Sequence, residues 1–311
     1  MRAVLVEPGA PGHLKLAEAP APAPWSNQAL VEVKAISLNL GEVRRARNSP
    51  AGTHLGWDLA GVVAEPAADG TGPKAGARVV GIKMAGAWAD RAAVDANMLA
   101  PLPDGLSFAR AATLPVAGLT ALYALEQAGQ LLGRKVLVTG ASGGVGLFGI
   151  QLAKLSGAEV TALIRREAYR ELVREAGADH VIVGERAEGA AAHGPFNCIL
   201  ESVGGQVLAD ALKLVKRAGV LVNYGVSSGE EATIRVADFF RAGQARYYGL
   251  YLFTEFGRRP ASDGLSVLAG LAAAERIGVH IGAEGGLDEL GRLAERLYNR
   301  EIPGKAVIHV D

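Results

Sequence analysis

The chain has little of what builds disulfide or metal frameworks. Cys198 is the single cysteine in 311 residues, which excludes an intramolecular disulfide and any cysteine-rich zinc site. The six histidines, His13, His54, His180, His193, His280 and His309, are scattered, with no H-E-x-x-H and no close pair. A metal enzyme is therefore not expected. Charge of one sign is also missing, because Lys plus Arg and Asp plus Glu both number 32. With aromatics at only 5% and no aromatic-plus-basic motif, neither nucleic acid nor an anionic membrane surface is an expected partner. The opening MRAVLVEPG meets charge and proline early, so the expectation is no signal peptide and a cytoplasmic protein. The longest uncharged stretch, 136–153, is eighteen residues but carries five glycines. It reads as a strand, loop and helix rather than a membrane span.

What is present is a chain that can bury a core. Hydrophobic residues are 50% and charged residues 21%, and the length suits about two domains. Up to residue 117, short apolar runs such as MRAVLVEP, ALVEVKAIS, LAGVVAEP and ARVVGI alternate with Pro and Gly, which predicts strands and turns. From 118 the rhythm becomes strand alternating with helix. Strands are predicted over 136–139, 160–164, 180–183, 197–200, 220–224 and 245–253. Helices are predicted over 145–156, 167–177 and 209–216, with Gly157 and Gly177 as stops. Such alternation implies right-handed crossovers and a doubly wound parallel α/β sheet. From 255 two helices, 265–276 and 288–299, precede a lone strand AVIHV. That strand needs sheet neighbours, so the tail is expected to fold back on the first region.

The strongest motif is VLVTGASGGVGLFGIQLAK, 136–154. Ala141, Gly143 and Gly146 fall at the small positions of a dinucleotide-binding G-x-G-x-x-G loop, with Ala replacing the first glycine. A tight turn, close backbone approach to a pyrophosphate and helix-on-strand packing all demand small residues there. The helix start would then offer free N–H groups and a positive dipole end to phosphates. No Lys-Ser/Thr pair follows, so a Walker A loop is excluded. At the end of the second strand, where NAD enzymes carry an acid, the chain reads Ile164-Arg165-Arg166 with Tyr169 a turn later. Two guanidiniums suit the 2′-phosphate of NADPH. The nearest acid, Glu167, lies one step into the following helix.

With these segments, the chain resembles the zinc-independent quinone oxidoreductase branch of the medium-chain dehydrogenase/reductase superfamily. The likeness is carried in order by ISLNLGEVRR, GWDLAGVV, GAWADRAAV, LPDGLSFARAATLPVAGLTALYAL, VTGASGGVG, AGADHVI, LESVGG and GKAVIHV. It implies a GroES-like, mostly β domain (1–117, completed by 255–311) and a Rossmann NADPH-binding domain (118–254), with the cofactor where they meet. It also implies a homodimer joined through the Rossmann edge strand 245–253.

By the same resemblance, Asn39 would lie beside the nicotinamide ribose and substrate, making it the one candidate catalytic residue, and Thr120 would touch the cofactor. Ser142, Gly143, Gly144 and Val145 would form the pyrophosphate loop. Arg166 and Tyr169, joined by Arg165, would hold the 2′-phosphate. Val203, Tyr224 and Gly225 would flank the ribose and nicotinamide, and Tyr251 and Lys305 are further cofactor candidates. The chain departs from zinc alcohol dehydrogenases in having Leu38-Asn39 and Gly56-Trp57-Asp58 where those enzymes have metal ligands. The family's Asp after the asparagine is Glu42, and the position of its following arginine is Ala46, between Arg45 and Arg47. The tyrosine of enoyl-thioester reductases is absent from ARNSPAGTHLG. Without a Lewis acid, the acceptor needs a product anion stable by itself. The expectation is therefore hydride transfer from NADPH to a quinone or other conjugated carbonyl. Reduction of α,β-unsaturated carbonyls or alkenes, or NADPH binding without catalysis, remain the alternatives.

Overall fold

Alternation of apolar and polar residues drives the first region into antiparallel pairing, each strand turning one face to a core. A computed structural model describes residues 1–310 and divides the chain into two units, Met1–Leu119 with Phe256–Asp311, and Thr120–Glu255.

In the first unit the longest strand, Gln28–Leu38, pairs antiparallel with Asp58–Glu65, Arg91–Asp95 and Lys305–His309. The register sets Ser37 opposite Asp58 and Leu38 opposite Ala306. Ile281–Gly286, Arg78–Ile82 and Leu99–Pro101 complete a seven-stranded sheet. Val31, Val33, Ile36, Leu38, Leu59, Trp88 and Ile308 share one buried cluster with Leu290 and Leu293 of the helix Leu290–Tyr298. The strand Ile281–Gly286 is hidden in the sequence, where IGAEGG carries three glycines and reads as loop. Its parallel partner Lys305–His309 holds it in the sheet. The two tail helices begin earlier than expected: one spans Ala261–Ala273, and the other opens with a tight turn at Leu287–Glu289.

In the second unit six strands lie parallel in the order His180–Val183, Glu159–Ile164, Lys135–Val138, Phe196–Glu201, Val215–Asn223, Arg246–Gly249. This is the doubly wound dinucleotide-binding order, whose reversal falls between the first and fourth strands. The fold is thus α/β, a Rossmann sheet with a GroES-like mostly-β domain. Three expectations are corrected. The helix read at 209–216 runs Gly205–Lys213, and the next strand starts at Val215 rather than 220. The helix read at 167–177 is a tight turn, Glu167–Tyr169, followed by Arg170–Glu175. The edge strand read at 245–253 is only Arg246–Gly249, followed by a short helix, Leu252–Glu255. Its partner strand ends at Asn223, opposite Gly249, so no ladder is left for the residues beyond.

Candidate active site

The glycine loop leaves the first parallel strand, Lys135–Val138, and opens the helix Gly144–Leu155, with Gly143 as N-cap. A Cβ on Gly146 would sit 2.7 Å from the Ala141 Cα and carbonyl oxygen and from the Gly140 oxygen. Only glycine lets the helix come this close to the turn. Ser142, Gly143, Gly144 and Val145 are part-exposed around the helix start, whose first-turn N–H groups have no intrahelical acceptor. The second strand ends at Ile164, which leaves Arg165 and Arg166 exposed. Arg166 Nη1 lies 3.4 Å from the Tyr169 hydroxyl. Glu167 is held by Arg170 through both carboxylate oxygens, and that guanidinium keeps its pKa below the ordinary glutamate value. Glu167 is thus already paired, and among the described residues no salt bridge joins Arg165 or Arg166 to a carboxylate.

At the ends of the fourth and fifth strands, Glu201 organises the loops. Its Oε1 accepts from the backbone N–H groups of Val203 (2.7 Å) and Gly204 (3.0 Å) and from Thr139 Oγ1 (3.3 Å). Its Oε2 accepts from Asn223 Nδ2 at 2.6 Å. Burial raises the Glu201 pKa, and these donors partly offset that. Gly225 packs against Ser202, whose oxygen would lie 3.0 Å from a Cβ there. Tyr224 has its hydroxyl buried beside Ser202, and burial raises its pKa. The residue as a whole is half-buried, and its hydroxyl has no hydrogen-bond partner. Tyr251 is 57% exposed, against Phe253. Thr120 is buried within the helix Pro115–Glu126.

In the first unit, Asn39 is the N-cap of the helix Leu40–Asn48 and the centre of a buried charged network. Its Nδ2 donates to Glu42 Oε2 and Asp58 Oδ2, each at 2.8 Å. Its Oδ1 accepts from Lys305 Nζ at 2.5 Å. Lys305 also donates to the Leu38 carbonyl (3.0 Å) and Asp58 Oδ2 (3.3 Å), which uses all three of its protons. Asp58 further accepts from Ser37 Oγ (2.6 Å) and the Val116 N–H (2.9 Å). Glu42 accepts from the backbone N–H of Asn39 (2.9 Å) and of Trp57 (2.5 Å). Ser37, Glu42, Asp58 and Lys305 are all buried. Burial first, and Asp58 second, raise the Glu42 pKa from 4.5 to about 8. A neutral Glu42 leaves one ammonium facing one carboxylate, the arrangement a dry interior tolerates.

This geometry narrows what Asn39 can do. Both amide protons are committed to carboxyl groups, so only an Oδ1 lone pair is left for a ligand. Asn39 can accept from a hydroxyl such as that of a ribose, but cannot polarise a carbonyl as a donor. Lys305, expected as a cofactor contact, is spent on the network and bears on any ligand through Asn39. Sequence reasoning missed Asp58, Ser37, Glu201 and Asn223 as members of these networks. For Asp58 and Glu201 the signal was a carboxylate at an apolar strand segment, DLAGVV or CILES, and Ser37 and Asn223 gave none. Among the described residues no group of three or more His, Cys, Asp or Glu is placed to hold a metal ion. No helix among them is long and apolar enough to cross a membrane.

Comparison with known proteins agrees with both halves. Residues 26–104 match the family described as "Alcohol dehydrogenase GroES-like domain", and residues 144–263 match "Zinc-binding dehydrogenase". The chain is 36% identical over 230 residues to the spectinabilin polyketide synthase system protein NorB of Streptomyces orinoci, covering 72% of this chain and 10% of that protein. It is 36% identical over 213 residues to 2-methylene-furan-3-one reductase of Solanum lycopersicum, covering 63% and 54%. The chain thus spans a tenth of the first relative and about half of the second. Escherichia coli quinone oxidoreductase, solved in complex with NADPH, superposes with a TM-score of 0.90 at 25% identity, covering 99% of this chain and 100% of that one. The chain belongs to the medium-chain dehydrogenase/reductase superfamily. Within the superfamily its place is on the zinc-independent quinone oxidoreductase branch.

Proposed function

We propose that the protein is an NADPH-dependent oxidoreductase that reduces a quinone or another conjugated carbonyl by two electrons. The observation that carries the reading is the second unit's pairing of a Cβ-intolerant glycine loop with two exposed arginines whose neighbouring acid is already engaged. Ser142, Gly143, Gly144 and Val145 would hold the pyrophosphate by backbone N–H groups. Arg165 and Arg166, with Tyr169, would hold the 2′-phosphate. Val203 and Gly225 would border the ribose and nicotinamide, on loops that Glu201 keeps fixed. Thr120 and Tyr251 are minor contacts in this reading. Asn39 would accept from a ribose hydroxyl, with Lys305 fixing its amide.

When bound, NADPH supplies a hydride to the acceptor. The protein's part is chiefly positioning. No residue is assigned as a general acid, and a quinone needs none, because its reduced anion is delocalised and water protonates it. Likeness to a 2-methylene-furan-3-one reductase supports conjugated carbonyls as a second acceptor class. Pairing with a second copy along Arg246–Gly249 belongs to the same proposal. That strand ends the sheet, and Val236, Phe240 and Tyr247 stand exposed in the same region.

The test is the initial rate of NADPH and NADH oxidation with ortho- and para-quinones and conjugated enones, against enzyme-free blanks. Quinone reduction preferring NADPH is expected. Enone or alkene reduction alone would move the assignment to the second class. No rate above blank with either nucleotide would refute catalysis and leave a nucleotide-binding protein.

A further inference from the structure

The loops that follow the fourth and fifth parallel strands meet on one side chain. Asn223 ends the strand Val215–Asn223, and in register it lies between Glu201 on one side and Gly249 on the other. Its amide has a different task at each end. Nδ2 donates to Glu201 Oε2 at 2.6 Å and to the Gly225 carbonyl at 2.8 Å, while Oδ1 accepts from the Tyr247 hydroxyl at 3.2 Å. Tyr247 is paired with Leu221, two residues before Asn223, so the two side chains fall on one face of the sheet. Gly249, directly opposite Asn223, has no side chain to stand between them.

Backbone bonds join the loops to each other. The N–H groups of Tyr224, Ser227 and Ser228 donate to the carbonyls of Glu201, Ser202 and Val203 at 3.0, 2.9 and 2.8 Å. The two loops therefore form one piece, and Asn223 ties it down from both sides, through Glu201 to Val203 and Gly204 and directly to Gly225. Ligands of an open parallel sheet bind beyond the carboxyl ends of its strands, which is where this bridge stands. We propose that Asn223 is a positioning residue for the nicotinamide half of the nucleotide, with Tyr247 fixing which way its amide points. It acts through Val203, Gly204 and Gly225. This rests on the reading of the second unit as an NADPH site and divides that site in two. The glycine loop and the arginines grip the phosphates, and the Glu201–Asn223–Tyr247 bridge sets the far end.

The test is isothermal titration calorimetry of NADP⁺, and of adenosine 2′,5′-bisphosphate, which lacks the nicotinamide half. The proteins are wild type, Asn223→Asp and Tyr247→Phe. Asn223→Asp removes both N–H donors and sets a second carboxylate against Glu201. At pH 9 it should weaken NADP⁺ binding by roughly 10-fold or more, as for a lost bond to a charged group, and leave the bisphosphate within about twofold. At pH 6 the two carboxyl groups share a proton, which restores a bond between them, and most of the deficit should disappear. Tyr224 and Tyr247 face the same carboxylate, and burial raises both phenols, so neither titrates in this range. Tyr247→Phe loses one neutral bond and should weaken NADP⁺ by about threefold at both pH values. Equal loss of both probes, no loss in Asn223→Asp, or a deficit independent of pH would overturn the proposal, and an unaffected Tyr247→Phe would strike the tyrosine from it. Titration needs no turnover, so failure of the catalytic reading leaves the test intact. A wild type that binds neither probe would refute the nucleotide site itself, and this assignment with it.

Discussion

Glu42 offers the sharpest quantitative test of the Asn39 network. It is fully buried, touches three N–H donors, and has its pKa raised from 4.5 to about 8 by burial and by Asp58. In the unfolded chain it ionises near the ordinary glutamate value. Between these two values the native state holds a proton that the unfolded state has released, so stability falls as pH rises. The neutral form's advantage is fully present below about pH 4.5, declines through neutrality and is gone above about pH 8. At 1.36 kcal/mol for each tenfold, the whole span is about 5 kcal/mol as an upper bound.

Glu42→Gln removes the titration and brings its own defect. All three contacts are donors, so one of them would face the new amide N–H₂. That costs about 1–3 kcal/mol at any pH. The variant should therefore be the less stable protein at pH 5, about level with wild type near pH 6, and the more stable one by pH 9. Urea unfolding followed by tryptophan emission at pH 5, 6, 7.5 and 9 measures this, because Trp25, Trp57 and Trp88 all lie in the first unit. Titrating groups remote from this network are common to both proteins and cancel in the difference. Parallel stability curves for the two would refute the assignment of a neutral, buried Glu42.

Replacing Arg165 and Arg166 together with alanine should raise KM for NADPH by roughly 10- to 100-fold, as expected for lost charge-assisted bonds. KM for NADH should hardly move, and a parallel loss for both nucleotides would contradict 2′-phosphate recognition. Gly146→Ala forces a methyl to within 2.7 Å of backbone. A loss of roughly 1–3 kcal/mol of stability and weaker nucleotide binding are expected, read by calorimetry with and without NADPH. Lys305→Met leaves Asp58 buried without its ammonium and should cost about 3–5 kcal/mol, measured by denaturant unfolding. Cys198 is buried in the sheet, and burial pushes its thiol up to about 12. It should stay unreactive to a thiol-disulfide reagent until urea unfolds the protein, and fast labelling of the native protein would contradict that.

The local rules in the sequence were enough for the parallel strands and the glycine loop. Apolar runs of four to six residues, glycine stops and a small-residue turn each act over one element, and the observed ranges shift by only a residue or two from those expected for the first four strands. Whatever depended on a partner elsewhere was illegible. The strand Ile281–Gly286 exists because Lys305–His309 pairs with it, and the edge strand stops at Gly249 because its neighbour ends at Asn223.

The same division runs through the candidate site. The doublet Arg165-Arg166 and the spacing of Ala141, Gly143 and Gly146 are sequence facts whose chemistry can be named before any fold is known. That Asn39, Glu42, Asp58 and Lys305 converge is a tertiary fact, since strand register alone brings residues 39, 58 and 305 within hydrogen-bond reach. Burial of that cluster decides which groups keep their charge, and its saturated hydrogen bonds decide that Asn39 can only accept. Residue type and order set the possible chemistry, while long-range packing, which controls solvation and geometry, selected the part of it that these side chains can perform.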